Sequence, residues 1–188
     1  MGLLSLFRER TSSYYGKRAH KYVDKLLKEE KNLLIISPFI DDYYASYLAA
    51  HAHGKRRYII SSSIKSSAAK KLRKNNVGSA LAAEFIAVSV NWLILLLSGP
   101  NVPFAFASIG FGAILIAYSL VHRNMIYLKV PKEFVHAKLY VGDRVAVEGS
   151  ANLTYAGMHK NIEGVRLIKD QKEVEDRKRQ FWTLWNSL

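Results

Sequence analysis

Between the basic run Lys70-Lys71-Leu72-Arg73-Lys74 and His122-Arg123, the only charged residue is Glu84. So long an uncharged stretch has to be covered by protein or by lipid. It divides at Ser98-Gly99-Pro100-Asn101-Val102-Pro103, where glycine and proline supply turn chemistry. The two parts, about 79–97 and 102–121, each approach the roughly 20 residues that cross a bilayer core. A buried hairpin in a soluble protein would instead show apolar runs of about 10 to 14. The pattern therefore predicts an antiparallel transmembrane helical hairpin. Glu84 falls about 8 Å from its start at roughly 1.5 Å per residue, within reach of headgroups. Lys and Arg flank both outer ends and are missing from the turn. The positive-inside rule then predicts a two-span membrane protein with both termini cytosolic.

Outside this stretch the chain reads as alternating helix and strand, which predicts an α/β layer fold. Helices are expected over 14–28, 41–53 (Asp41 or Asp42 capping), 66–74 and 173–188. Strands are expected over 32–38, 57–61, 124–130, 135–141, 144–148 and 162–168. The last helix presents Val174, Phe181, Trp182 and Trp185 as a core-facing stripe. The organisation expected is one domain split in sequence, with residues 1–76 as its N-terminal part and 122–188 as its C-terminal part. Residues 77–121 form the inserted hairpin, whose close ends need not disrupt a sheet.

The 188 residues hold 28 Lys+Arg against 15 Asp+Glu, a net charge of +13. That excess points to a polyanionic partner, either nucleic acid or an anionic phospholipid surface. The absence of cysteine excludes disulfide frameworks, zinc ribbons and thiol nucleophiles. His51 and His53 flank one alanine without an acidic cluster nearby, which reads as a helix end rather than a metal site.

Chemistry concentrates near the C-terminus. His136 and Lys138 stand two apart on an expected strand and so project from one face, where both can meet one ligand. Asp143 follows at a strand turn, then Gly149-Ser150-Ala151-Asn152, Leu153-Thr154, Gly157, Asn161 and Glu163. Ser150-x-Asn152 also reads as the entry to a short helix, where a Ser or Asn caps free N–H groups and an anion is favoured.

The ordered set His-x-Lys-x4-Asp, Gly-Ser-x-Asn and Glu163 resembles the signature of the phospholipase D superfamily, whose members cleave phosphodiesters. The segment Ser37-Pro38-Phe39-Ile40-Asp41 also resembles one often seen there, without an assigned chemistry. The resemblance implies a single phospholipase D-like sheet domain flanked by helices, here interrupted by the hairpin. It further implies attack by one histidine on phosphorus, protonation of the leaving oxygen by a second, and hydrolysis of the phosphohistidine without metal or cofactor.

On that basis His136 is the expected nucleophile or acid/base partner. Lys138 and Asn152 neutralise phosphorane charge, Ser150 contacts phosphate, and Glu163 orients His136. Asp143 and Gly149 are structural. The chain holds one copy of the motif, since His53-Gly54-Lys55 has Ile60 where Asp would belong. Single-motif members dimerise, so a homodimer with one composite site is expected. The expected function is a membrane-anchored nuclease. The alternatives are a phospholipase D or phosphatidyl transferase acting on anionic lipids, and a catalytically inactive membrane tether for nucleic acid.

Overall fold

Four consecutive apolar residues, Leu33 to Ile36, make β2 (Asn32–Ile36) a strand buried on both faces. The computed structural model describes residues 11–52, 54–74, 78–97, 110 and 125–188. In it, β2 lies inside a seven-stranded mixed sheet. With β1 (Ser12–Gly16), β4 (Arg56–Ile60), β6 (Met125–Lys129), β7 (Leu139–Val141), β8 (Ala146–Gly149) and β9 (Glu163–Ile168), the order is β1-β9-β8-β7-β2-β4-β6. The β2–β4 and β4–β6 pairs are parallel, while β2–β7, β7–β8, β8–β9 and β1–β9 are antiparallel. A separate parallel pair joins β3 (Phe39–Ile40) to β5 (Ser63–Ile64). Strands from both sides of the apolar stretch thus share one sheet.

Because side chains alternate along a strand, Leu33 and Ile35 face one core and Leu34 and Ile36 the other. The first core packs α1 (His20–Glu29) and α2 (Asp42–Ala50) through Val23, Leu27, Tyr44 and Leu48, with Leu72 of α3 (Ser66–Lys74). The second packs the terminal helix α5 (Gln171–Ser187) through Val174 and Phe181. Trp182 and Trp185 lie edge-on to Tyr58 at 4.8 and 5.5 Å, completing the core-side stripe. Asp41 caps α2 by accepting from the Tyr44 N–H at 3.0 Å, and Asp170 caps α5 by accepting from the Glu173 N–H at 3.0 Å.

Several expectations need correction. The helix expected from Tyr14 begins only at His20; Tyr14 and Tyr15 belong to β1, paired with β9. Aromatic residues favour strands, and Gly16, at φ 156°, ends the strand in a conformation that side-chain-bearing residues rarely adopt. The strand expected over 135–141 shrinks to Leu139–Val141. Its neighbours run out there: Ile36 pairs with Leu139 as the last residue of β2, and Pro38 cannot extend the ladder.

The helix α4 (Gly78–Leu97) covers the first half of the expected hairpin. Among the described residues, however, no helix is long and apolar enough to cross a membrane. That overturns the two-span membrane placement with both termini and the site cytosolic. After Glu84 the uncharged part of α4, residues 85–97, reaches only about 20 Å at roughly 1.5 Å per residue, against a hydrocarbon core of roughly 30 Å. The expected turn at 98–103 and the second span, about 102–121, lie outside the described residues apart from Gly110, as do His53 and His122-Arg123.

Candidate active site

Apart from Asp143, the expected site residues gather where β2 and β8 end and β7 and β9 begin. His136 and Lys138 sit on the irregular lead-in to β7, fastened by two contacts. Ser62 Oγ donates to the Val135 carbonyl at 3.1 Å and accepts from the Val135 N–H at 2.7 Å. The Gly149 N–H donates to the Lys138 carbonyl at 3.3 Å. The lead-in thus keeps the two side chains together without a regular strand. Lys138 Nζ lies 3.1 Å from His136 Nε2 and 3.3 Å from Nδ1, and donates to the His136 carbonyl at 2.8 Å.

Lys138 is only 8% exposed, whereas His136 is exposed. Burial pulls the Lys138 ammonium below the ordinary lysine range, and the Glu163 carboxylate opposes that shift. A cation is therefore held beside an imidazole that solvent can reach.

Ser150 and Glu163 form a second linked pair. Ser150 Oγ donates to the Glu163 carboxylate and accepts from the Gly164 N–H at 3.0 Å. The other Glu163 oxygen accepts from Asn161 Nδ2 at 3.2 Å. Glu163 is expected to orient His136, but within the chain it bonds to Ser150 and Asn161 instead. Gly149 is demanded by the close approach of β8 to β9: a Cβ there would stand 2.0 Å from the Gly164 carbonyl oxygen.

Asn152 is clamped from both sides through its neighbours. Tyr140 Oη, buried two residues beyond Lys138, donates to the Ala151 carbonyl at 2.8 Å. Burial and the nearby Glu163 carboxylate raise the Tyr140 pKa, although a hydrogen bond with Ser37 lowers it, so the group stays a neutral donor. On the other side Ser37 Oγ accepts from the Leu153 N–H at 2.9 Å and donates to the Phe39 carbonyl at 2.8 Å. The Asn152 side-chain oxygen is buried without a hydrogen-bond partner, and no direct bond joins that side chain to His136 or Lys138 among the described residues.

Asn152 also does not cap a helix. The turn that follows, Ala156–Lys160, is π-helical. Its free N–H groups are taken by Thr154 Oγ1, from Gly157 at 3.1 Å, and by Asp41, from Tyr155 at 2.6 Å. From behind, His159 Nε2 lies 3.2 Å from Tyr44 Oη, which donates to Asp24 at 3.0 Å, and His20 stacks on His159 at 4.3 Å.

Asp143 stands apart, at the opposite end of β7. It accepts from Asn32 Nδ2 at 3.3 Å, its N–H donates to Glu30 at 2.7 Å, and its carbonyl accepts from Lys178 at 2.8 Å. All three ties reach residues far away in sequence. Among the described residues no group of three or more His, Asp or Glu could hold a metal.

Sequence reasoning passed over Ser37, Asp41 and Tyr140 as positioning residues. The segment 37–41 was distinctive in sequence, but which loop it holds depends on the β2–β7 pairing.

Residues 115–185 match the family model described as "Cardiolipin synthase, PLD-like domain". The matched segment, less than half of the chain, contains His136, Lys138, Ser150, Asn152 and Glu163 but not Ser37 or Asp41. No curated protein matches the sequence.

Among solved structures, the fold is similar to Nuc, a phospholipase D family member from Salmonella typhimurium. The identity is 20%, the TM-score 0.52, and the match covers 94% of this chain and 95% of that one. NucT from Helicobacter pylori is similar at 12% identity and TM-score 0.54, over 95% of this chain and 96% of that one. Polyphosphate kinase from Porphyromonas gingivalis matches at 14% identity and TM-score 0.54, over 98% of this chain but only 25% of that one. At these identities the likeness concerns the fold.

Proposed function

We propose that the protein is a phosphodiesterase that cleaves nucleic acid through a phosphohistidine on His136, in a site completed by a second copy of the chain. A His136 ring nitrogen attacks phosphorus, forming an N–P bond as the P–O bond to the leaving group breaks. The second copy's histidine gives its proton to the departing oxygen. Water then attacks phosphorus, loses its proton to that histidine, and the N–P bond breaks to release the phosphate product.

Lys138 and Asn152 would meet the charge that builds on the phosphorane oxygens, where shielding from water strengthens them. Ser150 would contact phosphate, with Glu163 holding Ser150 in place. Residues 1–76 and 122–188 would form one domain around the segment 77–121, with Asp143 and Gly149 shaping it.

The observation that carries this reading is the Lys138 ammonium 3.1 Å from Nε2 of a solvent-accessible His136. The net charge of +13 favours a polyanion, and full-length similarity to Nuc and NucT favours a nuclease. A second reading, transfer or hydrolysis at a lipid headgroup, is favoured by the family description matched over residues 115–185.

Wild type and His136→Ala are assayed with chelator present on single- and double-stranded DNA, RNA and anionic phospholipid vesicles. Chelator-resistant cleavage of nucleic acid, lost in the variant, supports the nuclease reading. Headgroup release moves the assignment to the second reading. Nucleic-acid binding with a steep salt dependence and no turnover would leave only a tether.

A further inference from the structure

Beside His136 stand two phenylalanines that no core claims. Phe134 is 56% exposed and Phe39 is 41% exposed. Their ring centroids are 5.8 Å apart at 53°, and the Phe134 ring centroid is 6.1 Å from that of His136. Both rings are carried on fixed backbone. Phe39 belongs to β3, paired with Ser63, and its carbonyl accepts from Ser37. Phe134 directly precedes Val135, whose N–H and carbonyl are both bonded by Ser62. Two large apolar rings presented rigidly to solvent next to a phosphate-handling histidine are wasteful unless something covers them.

We propose that Phe39 and Phe134 form a stacking subsite for the nucleobase adjoining the scissile phosphate. The inference rests on the nuclease reading. A base lies one sugar away from its phosphate, so a diester seated at His136 carries a flat aromatic group toward these rings. Every base offers such a face.

The surroundings favour this occupant over an acyl chain. Lys132 and Glu133 precede Phe134, and Lys65 follows β5, all three exposed, so charged residues adjoin both rings along the chain. The two lysines suit phosphates flanking a stacked base. A duplex keeps its bases stacked inside, so the subsite selects unpaired nucleotides.

The test uses the full chain carrying His136→Ala, with and without Phe39→Leu and Phe134→Leu together. Binding to a labelled single-stranded oligonucleotide, and to the same strand bearing abasic residues, is followed by fluorescence anisotropy. Light scattering reports oligomeric state. The double leucine variant is expected to bind the intact strand about 10-fold more weakly, and the preference for intact over abasic strand is expected to disappear. In the His136-containing protein the same pair should raise KM for the strand.

Equal binding of intact and abasic strands, or unchanged affinity in the double variant, overturns the subsite even where cleavage is observed. Selective loss of binding to anionic vesicles instead assigns the rings to lipid and also overturns it. A fall in the dimer fraction overturns it in favour of an interface between copies. The expected binding change in a protein that cleaves nothing supports the subsite and removes the phosphodiesterase reading.

Discussion

Replacing Ser37 by alanine probes how the Asn152 loop is held. Ser37 is fully buried, and its Oγ both accepts from the buried Leu153 N–H and donates to the Phe39 carbonyl. Alanine keeps the shape but leaves a buried donor unsatisfied, which costs about 1–3 kcal/mol. About 2 kcal/mol corresponds to a Tm lower by roughly 4–8 °C in a chain of this size. The urea midpoint should fall with the slope m unchanged, and the Leu153 amide should exchange faster. If Asn152 meets the reacting phosphate, kcat should drop more than KM rises, because the loop is loosened rather than removed. Ser187→Ala serves as the control. That hydroxyl donates to the Leu184 carbonyl at 2.8 Å at an exposed helix end, and its loss should stay within about 0.5 kcal/mol. A Ser37→Ala protein as stable as this control would refute the claim that one hydroxyl anchors the loop.

Gly149→Ala forces β8 from β9, because its Cβ would sit 2.0 Å from the Gly164 oxygen. A loss of about 1–3 kcal/mol by urea unfolding, together with loss of cleavage, is expected; a stable, active variant would show that the two strands can separate freely. Glu148 is pushed up by burial, yet hydrogen bonds from Arg177 and Arg166 outweigh that and hold it below the ordinary glutamate value of 4.5. Its stabilising contribution is therefore complete above about pH 4.5 and is lost as pH falls through the lower folded value. Urea midpoints of wild type and Glu148→Gln should differ at neutral pH and converge in acid; a gap that persists unchanged in acid contradicts the sign.

How much of the site could be read in advance varied by residue. The adjacency of His136 and Lys138 was legible because a two-residue spacing favours one face, although the strand expected to enforce it stops at Leu139. That shortening depends on where β2 and β8 end, which no local pattern in 135–141 records. The contact of Glu163 within the chain was not legible for a similar reason. Its bond to Ser150 depends on the β8–β9 register, which sets Gly149 opposite Val165. Tyr14 and Tyr15 read as helical in sequence because their partner strand lies far along the chain.

The apolar stretch gives the opposite lesson. Its composition read as two bilayer-length spans, but no described helix is long and apolar enough to cross a membrane.

By itself the sequence determined the chemistry available: imidazole, ammonium, amide and carboxylate in a set order, and a basic charge suited to a polyanion. It also determined which short runs are apolar enough to be strands, since periodicity and side-chain type are local properties. Tertiary structure alone decided which groups meet. Ser37 and Tyr140 clamp the Asn152 loop, and Glu163 bonds to Ser150. Phe39 and Phe134 stand together beside His136. Those meetings follow from strand order and register, which arise when distant segments pair and close the loops between them.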